Sequence, residues 1–247
     1  MEFGPLFLVV AGAAAFLVGA SKGGLPMVGA VGVPLMALVM PPVAAAALLL
    51  PVYIVSDIVG LWAYRKQYSA RNLAILVPAM VFGVGLGWAT AKITEEWMVT
   101  LLVGLVGLYY CATVVFRKAN AQPKPADVPR GFFWGTIAGF TSFVSHTGGP
   151  PYQTYVLPQK LPKMVFAGTS TIVFAIINLV KLLPYWALGQ FNPSNLEMAA
   201  MLSPVAVAGA LTGYKLTAVI PEQIFYRLVE VALFLISLKL IHEALFT

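Results

Sequence analysis

Two short stretches of this chain decide how it folds: Gly19-Ala20-Ser21-Lys22-Gly23-Gly24-Leu25-Pro26 and Ser142-Phe143-Val144-Ser145-His146-Thr147-Gly148-Gly149-Pro150-Pro151. Each stretch separates two apolar segments. Glycine tolerates unusual backbone angles and proline fits the first turn of a helix, so each stretch predicts that one helix ends and another begins. Interrupted backbone at membrane depth is tolerated only where it lines a cavity or is buried in protein. The two stretches are therefore candidate functional sites.

The composition places these stretches in a membrane protein. Of the 247 residues, 60% are hydrophobic and 10% are charged, whereas a soluble domain has about 25% charged residues. This balance excludes soluble, disordered and nucleic-acid-binding classes, despite the net charge of +6. We predict an all-α, polytopic integral membrane protein with the lipid bilayer as a partner and no nucleic acid. The single cysteine, Cys111, excludes an intrachain disulfide, and we predict no metal site and no cofactor.

The apolar segments have the lengths expected of membrane helices. A spanning helix needs about 20 residues, and six stretches meet this length comfortably: 43–64, 72–92, 97–117, 164–188, 196–216 and 222–245. The stretches 25–40 and 150–160 are shorter and are interrupted or bounded by proline. The N-terminus has no basic region before its apolar segment, so we expect no cleaved signal peptide.

The two halves of the chain resemble each other. Pro78–Gly87 matches Pro204–Gly213 at an offset of 126 residues, and Gly23–Pro26 matches Gly148–Pro151 at an offset of 125. Three further matches fall in the same order at nearly the same offset. Repeated halves are common in secondary transporters. We therefore predict a first transmembrane repeat, a cytoplasmic linker and a second transmembrane repeat, over residues 1–117, 118–130 and 131–247.

Basic residues predict how the repeats are oriented. Two short loops, at 65–71 and 117–130, are rich in Lys and Arg, and the positive-inside rule makes their side cytoplasmic. If the Gly-Gly-Pro segments are re-entrant hairpins, the repeats are inverted and eleven basic residues face the cytoplasm. If each segment crosses the membrane once, the repeats are parallel and only seven basic residues face the cytoplasm. The charge count favours inverted repeats, and the parallel arrangement stays open.

The two stretches contain candidate substrate-binding residues. The N-terminus of a half-helix presents free N–H groups and a positive dipole end, which suit an anion. Lys22 and His146 bring positive charge to nearby positions in the two repeats. The alternative is a glycine-rich kink for helix packing, with Lys22 reaching the membrane interface. The candidate residues are Ser21, Lys22, Gly23, Gly24, Ser145, His146, Thr147, Gly148, Gly149 and Gln153.

Three further polar residues lie within long apolar helices. Asp57 and Lys181 align between the repeats, and burial of an isolated charge is expensive, so each needs a partner or water. Asn178 shares a helix face with Lys181. We assign these three residues to gating or coupling. The alternatives are a structural ion pair and, for Asn178, a bond to a neighbouring helix. Proton coupling through His146 or Asp57 is also open.

These motifs together resemble the TauE/SafE family of membrane permeases. The resemblance rests on Ser21-Lys22-Gly23-Gly24, Ser56-Asp57, Ser145-His146-Thr147-Gly148-Gly149-Pro150-Pro151 and Asn178-Leu179-Val180-Lys181, among other segments, and it covers essentially the whole chain. It implies passage of a small anionic sulfur compound, such as sulfite, thiosulfate or a short organosulfonate. It also implies an exporter of the cell inner (plasma) membrane.

The residues alone predict a transporter with paired helix-end sites for an anion. Together with the repeated halves, we interpret the chain as a secondary transporter that works by alternating access. A passive anion channel and an importer of the same anion class share most of these features. A membrane enzyme is disfavoured because the chain has no nucleotide-binding P-loop, no HExxH motif and no paired-cysteine motif. A structural assembly protein would not need repeated polar half-sites. Assembly into a homo-oligomer is left open.

Overall fold

The computed structural model describes residues 4–29, 31–36, 38–40, 42–115, 122–189 and 193–246. Within these ranges the regular secondary structure is helical and no strand occurs, which confirms the predicted all-α class. The helices are α1 (Pro5–Lys22), α2 (Pro26–Gly29), α3 (Gly32–Met36), α4 (Pro42–Tyr64), α5 (Ala70–Ala89), α6 (Glu96–Val115), α7 (Val128–Ser145), α8 (Gly149–Val156), α9 (Lys163–Ala187), α10 (Pro193–Val219) and α11 (Glu222–Phe246). A short 3₁₀ turn, Leu157–Gln159, follows α8.

Six of these helices are long and apolar enough to cross a membrane, so the chain is a multi-pass membrane protein. They are Pro5–Lys22, Ala44–Tyr64, Ala70–Ala89, Trp97–Val114, Lys163–Ala187 and Asn195–Val219. Five of them match predicted spans, and α1 is the sixth. The predicted span 222–245 corresponds to α11, which contains several charged residues and is not among the six. That span stays a prediction.

The chain changes helix at both glycine stretches. In the first, α1 ends at Lys22 and α2 begins at Pro26. In the second, α7 ends at Ser145 and α8 begins at Gly149. Re-entry of these segments into a membrane, and with it the inverted arrangement of the repeats, stays a prediction.

The chain divides into two compact units, which do not coincide with the two sequence halves. The first unit is Met1–Tyr68 with Ala167–Ile220, and the second is Ser69–Phe166 with Pro221–Thr247. Each unit therefore takes helices from both halves. The division into repeats at 1–117 and 131–247 stays a prediction, and residues 118–121 of the predicted linker lie outside the described residues.

In the first unit, α1 packs against α10 at glycine contacts. A Cβ atom added to Gly19 would lie 1.9 Å from the carbonyl oxygen of Ala206, and one added to Gly209 would lie 2.2 Å from that of Phe16. The two backbones therefore approach more closely than any larger residue permits. Beside this contact, small and aliphatic side chains of α1, α4 and α10 form the core of the unit.

In the second unit, α5 packs against α7 in the same manner. A Cβ atom added to Gly83 would lie 2.1 Å from the carbonyl oxygen of Thr136, and one added to Gly139 would lie 2.0 Å from that of Met80. Gly85 on α5 has open space around it. Gly83 of α5 and Gly139 of α7 therefore make the close contact between these helices, whereas Gly85 takes no part in it.

The single variants Gly83→Ala and Gly85→Ala should differ in their effect on the stability of the protein. Gly83→Ala forces α5 and α7 apart and should lower the thermal unfolding temperature of the protein in detergent micelles. Gly85→Ala meets no neighbour, and alanine favours a helix over glycine by about 1 kcal/mol, so this variant should unfold at the same temperature as the wild type or higher. Equal unfolding temperatures for the two variants would contradict the close α5–α7 contact.

Candidate functional site

The buried charged side chains of the described residues are three, and all belong to the first unit. Lys22 is 5% exposed, Asp57 is 3% exposed and Lys181 is fully buried. Lys22 is the last residue of α1, Asp57 lies on α4 and Lys181 lies on α9. A charge in such surroundings is costly unless an opposite charge or a polar group compensates it. Their contacts therefore define the candidate site.

Asp57 connects the three helices. Its Oδ1 atom lies 2.8 Å from the Nζ atom of Lys22, and its Oδ2 atom accepts a hydrogen bond of 2.8 Å from Nδ2 of Asn178. Lys181, one helical turn from Asn178, interacts electrostatically with both Asp57 and Lys22. We call Lys22, Asp57, Asn178 and Lys181 the Lys22 cluster. The structure thus joins one predicted binding residue to the three residues assigned to gating or coupling.

Hydroxyl groups of α4 and α9 hold the end of α1 in place. The Oγ1 atom of Thr171 donates a 3.1 Å hydrogen bond to the carbonyl of Lys22, and the hydroxyl of Tyr64 donates a 2.8 Å bond to the carbonyl of Gly23. The last carbonyls of a helix have no intrahelical partner, so these bonds compensate them. A Cβ atom on Gly60 would lie 2.7 Å from the Lys22 carbonyl oxygen. A larger residue there would push α4 away from the cluster.

Aromatic rings surround the ammonium group of Lys22. Its Nζ atom lies 5.1 Å from the ring centroid of Tyr53 and 6.0 Å from that of Phe174. Such cation–π contacts stabilise a desolvated ammonium. The hydroxyl of Tyr53 donates to the carbonyl of Gly29 at 3.2 Å. The side chain of Lys22 is thus buried in this cluster and is not exposed at the surface of the protein.

The backbone hydrogen bonds of the first stretch contradict one hypothesis about Gly23 and Gly24. The N–H groups of Gly23 and Gly24 donate to the carbonyls of Gly19 and Ser21 at 2.9 and 3.2 Å. They close the end of α1, so the hypothesis that they are free N–H groups for an anion is wrong for this structure. Binding of substrate by other atoms of Gly23 and Gly24 stays a prediction.

Gly24 and Ser21 have local roles in the same turn. Gly24 has a φ angle of +109°, and a Cβ atom on it would lie 2.1 Å from the Tyr64 hydroxyl. Only glycine fits there without strain. The hydroxyl of Ser21 donates to the carbonyl of Val18 at 2.7 Å, within its own helix. That bond matches the common use of helix hydroxyls, and a substrate contact of Ser21 stays a prediction.

The second stretch lies in the second unit and has a different geometry. His146 ends α7 in the left-handed conformation, with φ 55° and ψ 21°. The hydroxyl groups of Ser145 and Thr147, on either side of it, are 2.7 Å apart. The hydroxyl of Ser145 also lies 3.4 Å from the carbonyl of Thr141. The left-handed turn therefore brings two predicted binding hydroxyls together at the end of α7.

The N-terminus of α8 offers few backbone donors. The helix begins Gly149-Pro150-Pro151, and proline has no N–H group, so Gly148 and Gly149 are its available donors. Gln153 is 4% exposed, and its Oε1 atom has no hydrogen-bond partner among the described residues. Its Nε2 atom lies 4.0 Å from the position that a Cβ atom on Gly149 would occupy. The Gln153 amide therefore lies near Gly149, at the start of α8.

One buried pair was not found from the sequence. The side-chain amides of Asn72 on α5 and Gln159 exchange two hydrogen bonds, of 2.9 and 3.1 Å. The hydroxyl of Ser69 caps α5 through the N–H of Asn72. This pair fixes the 3₁₀ turn after α8 to the start of α5. No local pattern in the sequence pairs Asn72 with Gln159, because 87 residues separate them along the chain.

Comparison with known proteins gives one finding. A protein-family model described as "Sulfite exporter TauE/SafE" matches residues 8–240. Comparisons with curated proteins and with solved structures return no match. In the described part of the chain, no group of three or more His, Cys, Asp or Glu side chains could hold a metal ion.

Removal of Asp57 should destabilise the protein more than removal of Lys22. Asp57→Asn leaves two buried ammonium groups without a carboxylate, which should cost about 3–5 kcal/mol in the free energy of unfolding. Lys22→Met leaves the carboxylate with Asn178 and Lys181, and should cost less. Thermal unfolding in detergent, without added oxyanions, measures the difference.

Glu197→Gln is the control, because Glu197 is exposed on α10 of the same unit. It should unfold at the wild-type temperature. A Lys22→Met variant that is less stable than Asp57→Asn would show that Lys181 does not compensate the carboxylate.

Proposed function

The chain belongs to the sulfite exporter TauE/SafE family, and we propose from this that it is a secondary transporter of a small sulfur-containing anion. This family is one of membrane transporters for sulfite and organosulfur compounds. The substrate class is sulfite, thiosulfate or a short organosulfonate, and the direction is export across the cell inner membrane. Import of the same anions remains the alternative direction.

The observation that supports this proposal best is the Lys22 cluster. Ionisable groups inside membrane proteins are rare and commonly mark substrate or ion pathways. Here two lysines and one aspartate lie buried at the junction of α1, α4 and α9. Cations exceed carboxylates in this cluster, so a small oxyanion is the natural ligand. Lys22 and Lys181 are the proposed anion contacts.

Within the second unit, the start of α8 is proposed as an anion-binding element in its own right. It combines the N–H groups of Gly148 and Gly149 with the paired hydroxyls of Ser145 and Thr147. The amide of Gln153 is nine-tenths buried beside them and has an unpartnered oxygen in the described structure. Helix N-termini with such groups bind oxyanions. His146 adds a group that can be cationic.

Alternating access is the proposed mechanism. Transporters with duplicated halves work by rocking of one bundle against the other. In each unit, the first helix of one half of the chain packs against a glycine-containing helix of the other half. These pairs are α1 with α10 and α7 with α5. The matching arrangement supports duplication of the halves. In each pair the contact is made by glycines.

Flux through the purified chain tests the proposal. Proteoliposomes should take up at least one of labelled sulfite, thiosulfate and methanesulfonate faster than empty vesicles do. Lys181→Met removes a proposed contact and should lower the flux by about tenfold or more, equivalent to about 1.4 kcal/mol. Lys215→Met is the matched control, since Lys215 is exposed on α10, and should keep the wild-type flux.

The same vesicles separate a transporter from a channel. A transporter loaded with unlabelled anion accelerates uptake of labelled anion and accumulates it against its gradient, whereas a channel does not. Wild-type flux in a correctly folded Lys181→Met variant would refute the proposed site. Absence of flux for every sulfur anion would refute the proposed function.

A further inference from the structure

We propose that the Lys22 cluster selects singly charged sulfur oxyanions over doubly charged ones, and that Asp57 sets this preference. Alkanesulfonates and hydrogen sulfite belong to the selected class. Sulfate and thiosulfate belong to the rejected class. This inference rests on the proposed function and narrows its substrate class.

The first argument is the number of charges. The buried charged side chains of the described chain are Lys22, Asp57 and Lys181. With all three ionised, the cluster has one net positive charge. A monovalent anion brings this charge to zero, whereas a divalent anion leaves one negative charge in apolar surroundings. An uncompensated buried charge is strongly unfavourable, so the monovalent anion is preferred.

The second argument is that Lys22 can exchange its partner. In the structure the ammonium of Lys22 is held by Asp57 at 2.8 Å. When an incoming sulfonate oxygen takes the place of the Asp57 carboxylate, Asp57 keeps its bond to Asn178 and its interaction with Lys181. No charge is left without compensation during this exchange. Asp57 therefore acts as an internal competitor, which occupies Lys22 until the anion arrives.

The third argument concerns the shape of the ligand. The Lys22 ammonium lies beside the rings of Tyr53 and Phe174. The hydroxyl of Tyr53 is engaged with the carbonyl of Gly29, so these neighbours offer ring carbon atoms. Such surfaces suit the carbon substituent of a sulfonate better than a further charged oxygen, which would lose its hydration there.

Methanesulfonate and sulfate form the probe pair, because they have similar size and differ by one charge at neutral pH. Binding to the purified full chain in detergent is measured by calorimetry or by the shift in unfolding temperature. The wild type should bind methanesulfonate at least about tenfold more tightly than sulfate, a difference of about 1.4 kcal/mol. Asp57→Asn raises the net charge of the cluster and should reverse or abolish this preference.

A double variant distinguishes net charge from individual contacts. Asp57→Asn with Lys181→Met returns the cluster to one net positive charge and should restore the preference for methanesulfonate. Glu197→Gln should keep the wild-type ratio of affinities. A structural role of Asp57 would change stability, but it would not change which of the two anions binds more tightly.

The outcomes separate the inference from the function beneath it. If the wild type transports sulfur anions but binds sulfate as tightly as methanesulfonate, the charge selection is wrong and the proposed function stands. An Asp57→Asn variant that binds with the wild-type ratio also overturns the inference. If the wild type neither binds nor transports any of these anions, both proposals fail. Should Asp57→Asn not fold, the wild-type affinity ratio alone decides.

Discussion

A lysine ammonium in apolar surroundings requires an opposite charge at contact distance, and the first unit of this protein is organised around that requirement. Lys22 meets Asp57 at 2.8 Å, and Asp57 in turn accepts a bond from Asn178. These contacts join α1, α4 and α9, which are far apart along the chain. The cost of separating the pair in a low dielectric is high. The position of α1 relative to α4 and α9 therefore depends on it.

The pair can form only because backbones approach closely around it. Gly60 leaves room for the Lys22 carbonyl beside α4, and Gly24 leaves room for the Tyr64 hydroxyl. On the other side of α1, Gly19 and Gly209 allow the contact with α10. Small residues are the usual means of close packing between membrane helices, where no hydrophobic effect drives association. Electrostatics fixes the cluster, and glycine geometry makes room for it.

The two glycine stretches look alike in sequence but present different chemistry. In the first, the N–H groups of Gly23 and Gly24 close the preceding helix, and the charged group is the buried side chain of Lys22. In the second, the left-handed His146 ends α7 and a short helix starts at Gly149. There the hydroxyls and the buried amide of Gln153 are the available groups. The first stretch thus supplies a lysine ammonium in one unit, and the second supplies hydroxyl and amide groups in the other.

The sequence by itself determined the membrane class, the long helical segments, the TauE/SafE family and which charged residues lie within the apolar segments of the first unit. Composition, apolar length and the rarity of charge are properties of local sequence, so Lys22, Asp57 and Lys181 stood out without a structure. Only the tertiary structure decided that Asp57 pairs with Lys22, that Asn178 bonds to the same carboxylate, and that Asn72 pairs with Gln159. These partners lie on separate elements. Their meeting depends on how each helix is rotated and how closely the backbones pack, which no local pattern specifies. The same reason explains why the sequence suggested that the N–H groups of Gly23 and Gly24 bind an anion. A Gly-Gly-Pro pattern indicates where a helix ends, but only the fold decides which carbonyls the glycine N–H groups bind.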